Sequence, residues 1–137
     1  MTMKVLCPTD GTPHSMQAVV AAAELATKYG AALTICVVNV AHGGGRGPLI
    51  HHWSDAEAQK LLDDAVAVAG QNGQADVHTA IVINREAASG IVGYAETHQI
   101  DHIVMGTGDK RGLSRLVLGS VAADVAGRAH CSVTIAR

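Results

Sequence analysis

The chain has 137 residues, of which 48% are hydrophobic, and a formal net charge of -2. That length fits one domain, residues 1–137, with a core large enough to fold without disulfides or a structural metal. The near-neutral balance gives no electrostatic footing on nucleic acid or anionic membrane, and no stretch approaches the roughly 18 apolar residues of a spanning helix.

Residues 4–8 (KVLCP) form a short apolar run that ends in turn residues, as a buried strand does, and residues 1–11 do not read as a signal peptide. Ser15 can cap a helix running to about Tyr29, with Gly30 as its stop. Residues 32–40 (ALTICVVNV) are nearly continuous β-branched sequence, the pattern of a central parallel strand. A glycine-rich loop with three histidines occupies 41–52, and Ser54 with Glu57 is a capping-box pattern for a second helix that fades at 70–73. A strand follows at 77–83, then a helix at 86–98 whose Gly90 and Gly93 point to close packing. Residues 102–105 form a fourth strand, 106–118 a loop, 120–129 a fourth helix and 132–136 a fifth strand.

This alternation predicts an α/β fold: a single open, doubly wound, five-stranded parallel sheet with four helices. In such sheets a ligand crevice lies beyond the carboxyl ends of the strands, where strand order reverses. The turns after strands one and four, at 8–11 and 106–108, are the expected walls.

The stretch 105–121, MGTGDKRGLSRLVLGSV, carries the chemistry. Glycines free the main chain to approach an anion, and a helix opening at Gly119 and Ser120 adds unpaired N–H groups and a positive dipole end. Lys110, Arg111 and Arg115 add cationic charge. The spacing is neither the P-loop GxxxxGK nor the dinucleotide GxGxxG. Read bare, it is equally a structural turn, and Ser120 equally a plain N-cap.

This loop resembles the ATP loop of the universal stress protein family, G-x2-G-x9-G followed by Ser or Thr, entered through the strand HIVMG at 102–106. The closing VAADVAGRAHCSVTIAR and the opening KVLCPTDGTPHSMQAV are also similar to that family, so the resemblance covers the whole chain. It implies an adenine nucleotide alpha hydrolase-like (Rossmann-like) fold that binds ATP or AMP. Pro8 and Asp10 would border base and ribose, and Val38 would offer its backbone to the adenine edge. Gly106, Thr107, Lys110, Arg111 and Gly112 would surround the phosphates with Gly119, Ser120 and Val121. One departure stands out: the motif's second glycine is Asp109. A carboxylate about 4 Å from a phosphate charge costs roughly 4 kcal/mol at a dielectric of ~20. Either Asp109 weakens ATP and leaves AMP or nothing, or it helps to hold a bridging Mg²⁺.

The remaining groups have plainer readings. Asp10 can form an Asx-turn, and Val38 is also a core position. His42, His51 and His52, with Asp55 beyond, lack an HxxxH or HExxH spacing, so no metal site is expected; their loop reads as a flap over the base or a partner surface. His14 reads as a surface imidazole. Cys7, Cys36 and Cys131 form no CxxC pair and read as reduced thiols of a cytoplasmic protein. No nucleophile with an aligned base is evident, so catalysis is expected to be slight or absent, at most a weak Mg²⁺-dependent ATPase through Asp109. The alternating final strand, Ser132 to Ala136, has the pattern of an edge, and the resemblance implies a homodimer through it. The expected function is a nucleotide-binding stress-response or signalling module. The alternative is a nucleotide-free interaction protein of the same fold.

Overall fold

A computed structural model describes residues 2–107 and 118–137. Its elements run β1 (Lys4–Pro8), α1 (Pro13–Tyr29), β2 (Ala32–Gly43), β3 (Leu49–His51), α2 (Asp55–Gln71), β4 (His78–Asn84), α3 (Ala87–Thr97), β5 (His102–Gly106), α4 (Ser120–Arg128) and β6 (Ser132–Ala136). The parallel strands lie in the order β4–β2–β1–β5–β6. Chain order therefore reverses between β1 and β5, whose carboxyl ends are Pro8 and Gly106.

Alternating side chains divide the core in two. Val5, Cys7, Leu33, Ile35 and Val37 face α1 and α2, which answer with small residues such as Ala22, Ala26, Ala58 and Ala65. Leu6, Cys36, Val38, Ile103 and Met105 face α3 and α4, where Ile91, Val92 and Val125 meet them. Alanine-rich helix faces let each layer lie close on a sheet of branched residues. Both edge strands, β4 and β6, keep alternate residues partly exposed.

Local signals explain most boundaries. The Ser54–Glu57 capping box forms with both its bonds, at 3.1 and 2.9 Å, and Gly30 ends α1 at φ 62°. Gly90 is packed as its position suggested: a Cβ there would lie 2.7 Å from Val38 Cγ1, whereas Gly93 has open space.

Three expectations need correction. The cap of α1 is Thr12, not Ser15, because Pro13 takes the first helical turn and the Ser15 N–H donates to Thr12 Oγ1 at 3.3 Å. The cap of α4 is Gly119 rather than Ser120. The sheet has six strands, not five. The chain at 41–43 prolongs β2 and folds back as β3, antiparallel, with Ala41 opposite His51 and Gly43 opposite Leu49. Gly43 and Gly44, at φ 84° and 87°, make the reversal. The arm continues the sheet on the β1 side of β2. Cys36 O accepts from Thr9 N–H and Val40 O from His52 N–H, both at 2.8 Å, and carbonyls four residues apart point to one edge.

Candidate functional site

The turn after β1 is locked by its own hydroxyls. Thr9 and Ser15, both buried, place Oγ1 and Oγ 3.0 Å apart; the Ser15 hydroxyl donates to Thr12 O at 2.9 Å, so Thr9 is the donor to Ser15. Thr9 Oγ1 also accepts from Gly11 N–H at 3.3 Å. Asp10 Oδ1 accepts from the Thr12 N–H at 3.0 Å and from its hydroxyl at 2.6 Å, which is the Asx-turn that Asp-Gly can form. Its second oxygen has no hydrogen bond among the described residues, so it is free to accept from a ligand hydroxyl.

The turn after β5 is set by packing. A Cβ on Gly106 would stand 2.6 Å from the His14 carbonyl oxygen and 3.0 Å from Ser15 N, so glycine is required there by the start of α1. Thr107 O accepts from Gly119 N–H at 2.9 Å, tying the end of β5 to the start of α4. The Thr107 side chain is buried, yet its Oγ1 has no hydrogen-bond partner among the described residues. Helix α4 begins at Ser120 with no side-chain cap, which leaves its first N–H groups and dipole end without an intrinsic acceptor.

These pieces open on one crevice of about 740 Å³, a volume suited to a small ligand. It lies at the switch point. Pro8 and Asp10 come from β1 and its turn, Val38 from β2 and Gly106 from β5, while Gly119, Ser120 and Val121 come from the start of α4. Val38 is at the same time a core residue against α3. Thr107 sits behind the wall and does not line it. Asp109, Lys110, Arg111 and Gly112 lie outside the described residues.

The crevice has two characters. Asp10, Thr12, Ser15 and Ser120 make one part polar, and Val38, Val40, Ile91 and Met105 make another apolar. Val40 and Trp53 also line it and were missed from the sequence, while His42 and His52 line it as the reading of 41–52 as a flap over the base allows. The period-two series Val38, Val40, His42 was the available signal. His52 meets Trp53 edge-on, with centroids 4.7 Å apart at 73°. Hydrogen bonds from Ser54 hold the Glu57 carboxyl below the usual carboxylate range, with a smaller contribution from His52. A more open depression near Glu96, Asp101 and His130 lies at the amino ends of β5 and β6, the wrong end of a parallel sheet for a ligand.

Strand order and helix placement define an α/β protein of the adenine nucleotide alpha hydrolase-like fold. The chain belongs to the universal stress protein family, which matches residues 1–137. It is 35% identical to the universal stress protein MJ0531 of Methanocaldococcus jannaschii, over 98% of this chain and 81% of that protein. It is 31% identical to the universal stress protein YxiE of Bacillus subtilis over the full length of both. Among solved structures, a universal stress protein in complex with cAMP matches with a TM-score of 0.76 and 25% identity, covering 98% of this chain and 97% of that one. No helix among the described residues is long and apolar enough to cross a membrane.

Proposed function

We propose that this chain binds an adenine nucleotide, ATP or AMP, in the switch-point crevice and acts as a cytoplasmic stress-response or signalling module with little or no catalysis. The observation that carries this reading is the uncapped start of α4 at Gly119 and Ser120 opening on the same crevice as Asp10 and the apolar wall at Val38. A helix start attracts phosphate, a free carboxylate oxygen accepts from ribose hydroxyls, and an apolar wall takes a base. The family relative solved with cAMP supports the same ligand class. Gly106, Lys110, Arg111, Gly112 and Val121 complete the phosphate end in this reading, and Asp109 decides between ATP with Mg²⁺ and AMP. The dimer forms through β6, whose alternating, partly exposed residues suit pairing with a second copy.

Freshly purified protein, once denatured, should release adenine nucleotide detectable by mass. Titration with ATP and AMP, with and without Mg²⁺, follows on wild type, Asp109→Gly and Ser120→Glu. The glutamate keeps the helix start stable but repels phosphate, so affinity should fall about tenfold or more. A protein that binds neither nucleotide under any of these conditions would refute the reading. Sedimentation at micromolar concentration should give a dimer, and a monomer would overturn that part.

A further inference from the structure

The phosphate, ribose and adenine-edge contacts proposed above use none of the side chains of the β2–β3 arm, although the arm carries three histidines and leads into the chain's single tryptophan. Residues two apart on a strand share a face, so Val38, Val40 and His42 form one column, on the α3 and α4 side where Val38 packs. The ladder sets Ile50 opposite His42, and the His52 N–H bond to Val40 O sets His52 opposite Val40. Both imidazoles therefore stand on the crevice face, and both line the cavity; His51, out of phase with them, does not.

The arm is also built to hold that position. Asn39, 1% exposed, donates from Nδ2 to Trp53 O and accepts at Oδ1 from Trp53 N–H, both at 2.9 Å. Arg85 donates to Gly43 O at 2.9 Å from the other edge of β2. A Cβ at Gly43 would meet Pro48 O at 2.8 Å, so the reversal admits little else than glycine. Because the arm occupies the lane beyond β1, a ligand lying on Pro8 and Val38 extends outward beneath it.

We infer that His42 and His52 are the residues that set the preference of this site for a two-ring over a one-ring base. This rests on the nucleotide reading above and assigns the outer half of its site. The column from Val38 to His42 spans about 13 Å at roughly 3.3 Å per residue, so a two-ring base seated on Val38 and Val40 reaches the imidazoles while a one-ring base falls short. An imidazole stacks on a base face, and in its neutral form presents one donor and one acceptor to the base edge. The apolar floor at Val40 and Ile91 excludes water from the inner face of the same base.

The test compares AMP, CMP and ribose 5-phosphate on wild type, His42→Ala, His52→Ala and the double variant, by calorimetry and by Trp53 fluorescence. Both histidines are exposed, so the variants should fold, which circular dichroism checks. Wild type should prefer AMP to CMP and to ribose 5-phosphate. The double variant should lose roughly tenfold in AMP affinity, the size of one base-stacking contact, with ribose 5-phosphate unchanged. AMP should quench Trp53 and ribose 5-phosphate should not. Unchanged AMP affinity and unchanged AMP-to-CMP preference in the double variant would overturn the inference while leaving nucleotide binding intact. A parallel loss of AMP and ribose 5-phosphate would overturn it too, because the arm would then act through the fold. Wild type that binds none of the three would remove the nucleotide reading and this inference together.

Discussion

Three glycines and one threonine carry separable expectations about stability. Gly106→Ala forces a Cβ to 2.6 Å from the His14 carbonyl oxygen, where only backbone movement relieves the clash. A loss of about 1–3 kcal/mol in urea unfolding is expected, as for overpacking elsewhere. Gly90 and Gly93 both lie within α3 and act in opposite directions. Alanine at 90 presses on Val38 and should destabilise, while alanine at 93 meets nothing within 4 Å and should stabilise the helix by about 0.5–1 kcal/mol. Thr107→Val removes a buried hydroxyl that lacks a partner among the described residues, so the unfolding free energy from urea titration should rise by about 1 kcal/mol. At this scale the sequence pointed to the right places but sometimes for another reason. Gly106 stood out as a phosphate contact, yet the demand for glycine there comes from α1.

Among the elements, the arm is anchored by two side chains, Asn39 at Trp53 and Arg85 at Gly43. Asn39→Ala deletes two hydrogen bonds to the Trp53 backbone and leaves those groups to find other partners. A stability loss of about 2 kcal/mol is expected, with faster proteolysis within 44–48. Equal cleavage rates in variant and wild type would show that Asn39 does not hold the arm. Helix boundaries were legible where the signal is local, as at Ser54–Glu57 and Gly30. Ser15 has the look of a cap, but Pro13 is the stronger mark of a first turn and puts the cap at Thr12. High glycine content gives 41–52 the look of a loop and masks a three-residue pairing. Pairing of 41–43 with 49–51 is a property of two segments and leaves only weak traces in either one.

Across the whole molecule, the switch between the first strand and 102–106 and the edge position of the last strand were legible, while the remaining partners were not, since alternation marks faces but not partners. The crevice was legible nevertheless, because ligand sites in open parallel sheets follow strand direction and not detailed sequence. Its outer wall was legible only as a flap at 41–52, without the strand pairing that builds it. Burial pushes the Cys36 thiol up to about 12 from an ordinary 9.0, and raises Cys7 further, with a small addition from Cys36. Below pH 9 both folded and unfolded chains keep these protons, and the stability they reflect is fully present. Above it the unfolded chain releases protons that the core retains, so stability falls by up to about 1.4 kcal/mol per pH unit per thiol. Urea midpoints between pH 8 and 10.5 should show the fall, and Cys36→Ala should flatten it. An identical slope in the variant would assign the alkaline loss to other groups.

Cys7 and Cys36 lie on adjacent strands but on opposite faces of the sheet, one beneath α1 and α2 and the other beneath α3 and α4. They are therefore two identical chemical clocks, one for each side of the molecule. Under a thiol-labelling reagent, matching rates mean that both helical layers open in one event. A faster Cys36 means that the layer carrying α4, and with it one lip of the crevice, peels back while the other half stays folded. A ligand bridging that lip to β1 would slow the Cys36 clock and leave the Cys7 clock running, which turns a pair of buried, unreactive thiols into a gauge of where the protein yields first.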